Sequence, residues 1–157
     1  FLGETKTIEN LNNIHRLGPE PLDPKFTYAK FKSVLSGRKG FIKKVLMDPF
    51  VIVGIGNIYA DEILWYAGIS PVRKVSAISK EESSRLYDSM RQVLRRAIRY
   101  GGSSARNYQK PDGSAGGYYP FRKAYQRTGE HCERDKGVIT RIIIGQRSTH
   151  FCPVHQG

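Results

Sequence analysis

The sequence predicts a mainly helical fold with a small β part at its C-terminal end. Apolar side chains recur at helical spacing before residue 100. The composition then changes at "YGGSS" (100–104) to a stretch rich in glycine and proline, and β-branched residues gather in "GVITRIIIG" (137–145). We therefore expect a helical domain over 1–105, a flexible loop over 106–122 and β-hairpins over 123–157.

Two helices are expected before residue 40. The first carries apolar side chains at helical spacing, namely Ile8, Leu11, Ile14 and Leu17. The prolines of "LGPEPLDP" (17–24) end it, because proline lacks the amide that a helix interior needs. Asp23 followed by Pro24 is typical of an N-cap with proline at the first helical position, so we expect a second helix from there to about Leu35.

The central motif is "VGIGNIYADEILWYAGISP" (53–71). Gly54 and Gly56 allow a tight turn, Asn57 is a favoured N-cap residue, and Gly68 is a typical end for a helix over 58–67. Free amides at the positive end of a helix dipole bind phosphate well. The alternative is that the glycines only allow close helix packing. The motif does not favour a dinucleotide-binding fold, because the third glycine and the βαβ context are missing.

A long helix follows from Ser79, which forms a capping box with Glu82 and leads to an end at Gly101. Its apolar stripe consists of Leu86, Met90, Val93, Leu94 and Ala97. Its other faces carry five arginines, namely Arg85, Arg91, Arg95, Arg96 and Arg99. Those arginines fit either a solvated basic face or a direct contact with nucleic acid.

The C-terminal third is expected to contain loop and strand. "NYQKPDGSAGGYYPF" (107–121) is rich in glycine and proline, and loops of that length are usually functional or disordered. "KAYQ" (123–126) and "GVITRIIIG" (137–145) favour strands, so we expect two short hairpins.

Charge and composition narrow the class of partner. The chain has 26 Lys and Arg against 14 Asp and Glu, a formal net charge of +12 and a pI near 9.9. Such a balance favours a polyanionic partner such as nucleic acid. The most apolar run, "VIVGIGNIYA" (51–60), is far shorter than the roughly 20 residues of a spanning helix. Two cysteines are too few for a secreted disulfide framework, so we expect a cytoplasmic protein.

Five blocks in order make the chain recognisable: "LGPEPL" (17–22), "IKKVLMD" (42–48), "VGIGNIYADEILWYAGISP" (53–71), "GGSS" (101–104) and "QRSTHFC" (146–152). Together they resemble the C-terminal half of a bacterial formamidopyrimidine-DNA glycosylase of the Fpg/Nei family. The resemblance implies a helix-two-turns-helix domain followed by a zinc finger, which clamp double-stranded DNA around an oxidised base or an abasic site.

The resemblance also implies roles for particular residues. Asn57, with the amides of Gly56 and Ile58, would bind a phosphate beside the lesion, and Arg147 would grip the flanking phosphates from the finger tip. Lys43 would lie near the extruded nucleotide, its alternative being an ordinary surface lysine. The loop would cap the everted base through Gly116, Gly117, Tyr118 and Tyr119, although the two tyrosines are equally suited to packing.

Near the C-terminus, a metal site with an unusual donor set is expected. Zinc accepts thiolate, imidazole and carboxylate, so Cys132, Asp135, Cys152 and His155 are a chemically allowed tetrahedral set. In the family's four-cysteine frame, Asp135 and His155 occupy the second and fourth positions. One structural zinc ion is expected, bound less tightly than by four thiolates. His131 and His150 are alternatives to Asp135, and a Cys132–Cys152 disulfide or a finger without metal are the alternatives to zinc.

The resemblance places catalysis outside this chain. Family members attack the sugar through an N-terminal proline with an adjacent glutamate, in a β-sandwich domain that precedes the helical one, whereas this chain starts with Phe1 and Leu2. We therefore expect a monomeric DNA-binding fragment, inactive alone, of a glycosylase and abasic-site lyase that removes 8-oxoguanine and formamidopyrimidine. The alternative is a standalone module that binds RNA or DNA. A lyase that uses Lys43 would require that lysine to be desolvated.

Overall fold

The computed structural model describes residues 16–102 and 116–157, and the helix expected around Ile8, Leu11 and Ile14 lies outside these ranges. The described part has four α-helices: α1 (Tyr28–Leu35), α2 (Ile42–Leu46), α3 (Asn57–Ala67) and α4 (Lys80–Arg99). Short 3-10 turns occur at Val75–Ala77 and Tyr119–Phe121. Two strands, β1 (Thr140–Ile144) and β2 (Arg147–Phe151), pair antiparallel. The predicted fold class, mainly helical with a small β part, is confirmed.

Helix α1 starts later than its sequence predicts. Thr27 is the N-cap, and its side chain accepts a hydrogen bond from the Lys30 amide. Asp23 caps only a turn, since its Oδ1 accepts from the Lys25 amide at 2.8 Å. The predicted start at Asp23–Pro24 is therefore wrong, and the predicted end at Leu35 is right. The sequence did not predict α2 at all, because five residues are too few to show a helical period.

The long helix α4 forms as its sequence predicts. Ser79 and Glu82 make both hydrogen bonds of the capping box, and the helix ends one residue before Tyr100. The whole predicted apolar stripe is buried. It packs on α3 and α1 to form the main core, together with side chains from α2 and the turn before α3.

Residues 123–157 contain one hairpin and one isolated bridge. Gly145 and Gln146 connect the strands, and both have positive φ, 52° and 66°, as a two-residue type I′ turn requires. The second predicted hairpin is wrong: "KAYQ" forms a turn, and His131 makes only a single bridge with Val138. Three backbone amides of the "KAYQ" turn donate to the Glu62 carboxylate, which replaces a strand partner.

Between the hairpin and α3 lies a second, smaller core. It consists of Trp65, Ala124, Cys132, Ile139 and Cys152. Since Trp65 projects from α3 while Ala60, Ile63 and Leu64 of the same helix enter the main core, α3 joins the two parts of the described chain. Within the described ranges, no helix has the length and hydropathy needed to cross a bilayer.

Candidate nucleic-acid interface and metal centre

The turn before α3 is open at its surface. Gly54 has φ +87°, a conformation that favours glycine, while Gly56 is the extended N-cap of the helix. A Cβ atom added at either glycine would meet nothing within 4 Å, so the close-packing alternative is wrong for both. The first intrahelical hydrogen bond comes from Ala60, which leaves the preceding amides of the turn without a helical acceptor. This turn therefore has both donors and space for an anion.

Asn57 binds the hairpin instead of capping α3. It is the first helical residue, and no side-chain cap is present. Its Nδ2 donates to the Ser148 carbonyl at 3.0 Å, and Ser148 directly follows Arg147. Because the Gly145–Gln146 turn sets Arg147 at the exposed end of β2, this hydrogen bond brings together two predicted site residues that lie 90 positions apart in sequence.

Lys43 is buried, with only 1% of its surface exposed. Its Nζ lies 2.7 Å from Asp61 Oδ1 and donates to Thr149 Oγ1 at 2.7 Å and to the Ser148 carbonyl at 3.2 Å. Burial lowers the pKa of Lys43, and the Asp61 carboxylate opposes that shift. The interpretation of Lys43 as an ordinary surface lysine is therefore wrong, and its place near an extruded nucleotide stays a prediction. Its contacts hold β2 against α2 and α3.

A polar cavity of about 520 Å³ lies between Asn57 and the hairpin. Its lining residues are Asn57, Tyr125, Gln126, Thr128, Arg141, Gln146, Arg147, Ser148 and His150. Arg141 is held there by Ser148, whose Oγ accepts from Nε at 3.1 Å and from Nη2 at 2.8 Å. Burial raises the pKa of Tyr125, whose ring lies edge-on to the His150 ring. The lining contains no carboxylate, which suits an anionic partner.

Sequence reasoning missed Arg141 and Tyr125. The only signal for Arg141 was the register of a hairpin, since a strand alternates its faces and Arg141 lies opposite His150. No signal existed for Tyr125, because its segment was expected to be a strand.

The predicted base-capping residues are only partly exposed. Gly116 and Tyr118 are buried, and Tyr118 packs in the main core with its ring 5.5 Å from that of Tyr59. The packing alternative is therefore the one that describes Tyr118 here. Gly117 is exposed, but a Cβ there would lie 2.7 Å from the Tyr100 carbonyl. The half-buried Tyr119 lies against the Arg122 guanidinium, and residues 106–115 of the predicted loop are outside the described ranges.

Three of the five α4 arginines support other elements. Arg85 donates to the Ala67 carbonyl, Arg91 to the Pro21 carbonyl and Arg96 to the Tyr66 hydroxyl. Arg85, Arg95 and Arg99 are exposed. The face therefore combines contacts to neighbouring elements with three cations that solvent can reach.

All four predicted metal ligands come together. One donor atom from each of Cys132, Asp135, Cys152 and His155 lies within 4.8 Å of the others. Cys132 Sγ lies 3.5 Å from His155 Nδ1, which is the edge length of a tetrahedron with zinc–sulfur and zinc–nitrogen bonds of about 2.3 and 2.0 Å. Asp135 oxygens lie 3.2 and 3.4 Å from Cys152 Sγ and 2.9 Å from His155 Nδ1. This cluster could hold a metal ion.

Neighbouring groups orient these donors. His155 Nε2 lies 3.0 Å from the Trp65 carbonyl, which suits an N–H at Nε2 and leaves the Nδ1 lone pair free for a metal. Trp65 Nε1 donates to Cys132 Sγ at 3.3 Å. Gly137 is required sterically, because a Cβ there would lie 2.5 Å from Cys152 Sγ and 2.8 Å from Asp135 Oδ1.

The alternatives to this donor set do not match the geometry. Both cysteines are free, so the disulfide is not formed in this structure. His150 Nδ1 lies 3.1 Å from Asp61 Oδ2, and His150 belongs to the contact with α3. Neither His131 nor His150 is among the clustered donors of the described residues.

Comparisons with known proteins agree with this geometry. Residues 17–109 match the family described as "Formamidopyrimidine-DNA glycosylase H2TH domain". The formamidopyrimidine-DNA glycosylase of Herpetosiphon aurantiacus is 44% identical over 141 residues, which are 90% of this chain and 52% of that protein. The chain thus spans about half the length of the curated relatives it matches.

Solved structures give the same result. The crystal structure of the MutM (Fpg) protein of Thermus thermophilus matches with a TM-score of 0.86 and 40% identity, over 90% of this chain and 54% of that one. The Lactococcus lactis Fpg, in a complex with DNA containing an abasic site, matches with a TM-score of 0.85 and 36% identity, over 97% of this chain and 56% of that one.

Proposed function

This chain belongs to the formamidopyrimidine-DNA glycosylase family, and from that membership we propose that it is the DNA-binding part of a base-excision-repair glycosylase and abasic-site lyase. The lesions would be the oxidised purines 8-oxoguanine and formamidopyrimidine. The hydrogen bond from Asn57 to the Ser148 carbonyl carries the proposal, because it sets an open helix N-terminus beside the exposed Arg147. Both groups suit phosphate oxygens.

The bound DNA would lie across the turn before α3 and the tip of the hairpin. The +12 net charge supports a salt-dependent contact with a duplex backbone. The complex of the Lactococcus lactis Fpg with DNA containing an abasic site supports an abasic duplex as the preferred partner.

The test is fluorescence anisotropy with three labelled ligands: a duplex with an abasic-site analogue, the same duplex intact, and an RNA hairpin. We expect the abasic duplex to bind tightest. Arg147→Ala should weaken binding about eightfold at 0.1 M salt and lower the salt slope by about 0.9, because one phosphate contact is lost. Asn57→Ala should weaken binding more than the control Arg95→Ala does. Arg95 is an exposed α4 cation outside the cavity.

Two results would contradict the proposal. Equal affinity for both duplexes would show that this chain does not recognise the lesion. An RNA hairpin that competes as well as the abasic duplex would favour the second candidate, a standalone nucleic-acid-binding module.

We expect these 157 residues to bind without cleaving. The resemblance assigns the attacking amine to a proline outside the matched residues, and Lys43, the lysine considered as a substitute, is paired with Asp61. Borohydride trapping on abasic DNA tests this expectation, and a covalent adduct would contradict it.

We also propose that the four-residue cluster binds one structural zinc ion. Zinc would join the segment of Cys132 and Asp135 to that of Cys152 and His155, through two thiolates, the Asp135 carboxylate and His155 Nδ1. Trp65 is the only tryptophan in the chain and donates to Cys132 Sγ, so its fluorescence should change when zinc binds.

Zinc titration followed by that fluorescence, with metal analysis, should give one ion per chain. Cys152→Ser should abolish zinc binding. His131→Gln should not, because His131 lies outside the cluster. If the metal-free wild type folds normally and binds no added zinc, the zinc proposal is wrong.

A further inference from the structure

Two adjacent lysines of α2 have opposite environments. Successive helical residues point about 100° apart. Lys43 accordingly faces the protein and pairs with Asp61, while Lys44 is exposed. The resemblance implies a role for Lys43, but of the two lysines only Lys44 has an ammonium that solvent or a ligand can reach.

Lys44 lies along the hairpin turn. A Cβ built on Gly145 would be 3.4 Å from Lys44 Cε, 3.7 Å from Cδ and 3.8 Å from Cγ, so the alkyl chain runs beside this glycine. Such distances are ordinary van der Waals contact, so the Lys44 side chain passes close to the turn. Gly145 is two positions before Arg147, and a cavity of about 240 Å³ is lined by Lys44, Gly145 and Arg147 among others.

The exposed cations at this cavity outnumber its carboxylates. Neither the Lys44 ammonium nor the Arg147 guanidinium has an ion pair among the described residues. The one carboxylate in the lining, Asp48, accepts a hydrogen bond from the Phe50 amide at 2.9 Å. Two exposed cations held beside one cavity repel each other, and an anion between or beside them would remove that cost.

We propose that Lys44 binds a DNA backbone phosphate next to the one held by Arg147. The proposal rests on the proposed DNA-binding function and deepens it. A guanidinium fork and a compact ammonium are the usual partners of phosphate oxygens, and the same hairpin turn supports both. Lys43 then positions the hairpin through its contacts with Ser148 and Thr149, and Lys44 supplies the positive charge that binds the phosphate.

The experiment compares Lys44→Gln with Lys30→Gln, which removes the same charge from an exposed site on α1. Binding to the abasic-analogue duplex is measured from about 0.05 to 0.3 M salt, and circular dichroism checks that both variants stay folded. Each phosphate contact makes the binding constant fall with salt concentration to the power of about −0.9. Lys44→Gln should therefore weaken binding about eightfold at 0.1 M and reduce the slope by about 0.9, while Lys44→Arg should bind within about twofold of wild type.

The double variant Lys44→Gln/Arg147→Ala should reduce the salt slope about twice as much as either single variant does, because two phosphate contacts are lost. If Lys44→Gln matches Lys30→Gln in affinity and slope, this proposal is overturned and the proposed function stands. If the wild type binds no duplex at all, the proposed function itself has failed.

Discussion

At the scale of single residues, two acceptors organise the candidate site. The Ser148 carbonyl accepts from both Asn57 and Lys43, so one backbone oxygen fixes the contact of α3 and α2 with the hairpin. Asp61 pairs with Lys43 through Oδ1 and accepts from the His150 backbone amide through Oδ2 at 2.9 Å. All of these groups except Asn57 and Ser148 are nearly fully buried, so each depends on its partner.

Replacing Asp61 by Asn should therefore be costly. The Lys43 ammonium would stay buried without its counter-charge, and breaking one side of a buried pair typically costs about 3–5 kcal/mol of unfolding free energy. Urea denaturation measures the loss. Asp88→Asn, a change of the same type at a position on α4 outside this contact, should stay within about 0.5 kcal/mol of wild type.

The double variant Lys43→Met/Asp61→Asn should be more stable than Asp61→Asn alone, because no unpaired charge remains. A loss for Asp61→Asn no larger than that for Asp88→Asn would mean that this ion pair contributes nothing to stability.

At the scale of elements, α3 has three different contacts. Ala60, Ile63 and Leu64 enter the main core, and Trp65 enters the smaller one. Glu62, which is fully buried, accepts from the amides of residues 123, 124 and 125 at 2.7, 2.9 and 2.9 Å. The carboxylate thus organises a turn that has no strand partner, and it fixes that turn to the helix.

Glu62→Gln should destabilise the protein by about 1–3 kcal/mol, because the amide NH₂ would face a backbone N–H that needs an acceptor. Thermal and urea unfolding both measure this change. Glu20→Gln, at an exposed position, is the matched control and should have almost no effect. Equal stability of the two variants would show that the three hydrogen bonds contribute little.

At the scale of the whole molecule, the described residues have two cores that share one helix. The hairpin carries Arg147, and its position relative to α3 depends on Asp61, on Asn57 and on the small core around Trp65. We therefore expect the helical part and the finger to unfold together, since each stabilises the other through α3.

Trp65 fluorescence reports on the smaller core, and far-ultraviolet circular dichroism reports mainly on the helices. In urea, at constant zinc, the two transitions should coincide for the wild type. They should separate in Glu62→Gln, with the fluorescence transition occurring first. Separate transitions in the wild type would show that the two parts are independent.

Much of the fold followed from local patterns. The capping box and apolar stripe of α4 and the Gly68 end of α3 depend on residues close together in sequence, so they could be predicted. The start of α1 could not, because Asp23–Pro24 and Thr27 are both plausible starts. Helix α2 and the "KAYQ" turn were missed because one is too short to show a period and the other depends on Glu62.

By itself, the sequence determined the fold class, the spacing of the four candidate metal donors, the basic character and the position of the glycine turn before α3. Only the tertiary structure decided which lysine of "IKKVLMD" is buried, that Asn57 binds the hairpin and that Tyr118 packs in the core. The physical reason is that burial and pairing depend on elements that meet in space. Lys43 reaches Thr149 across 106 positions of sequence, a contact that no local pattern records.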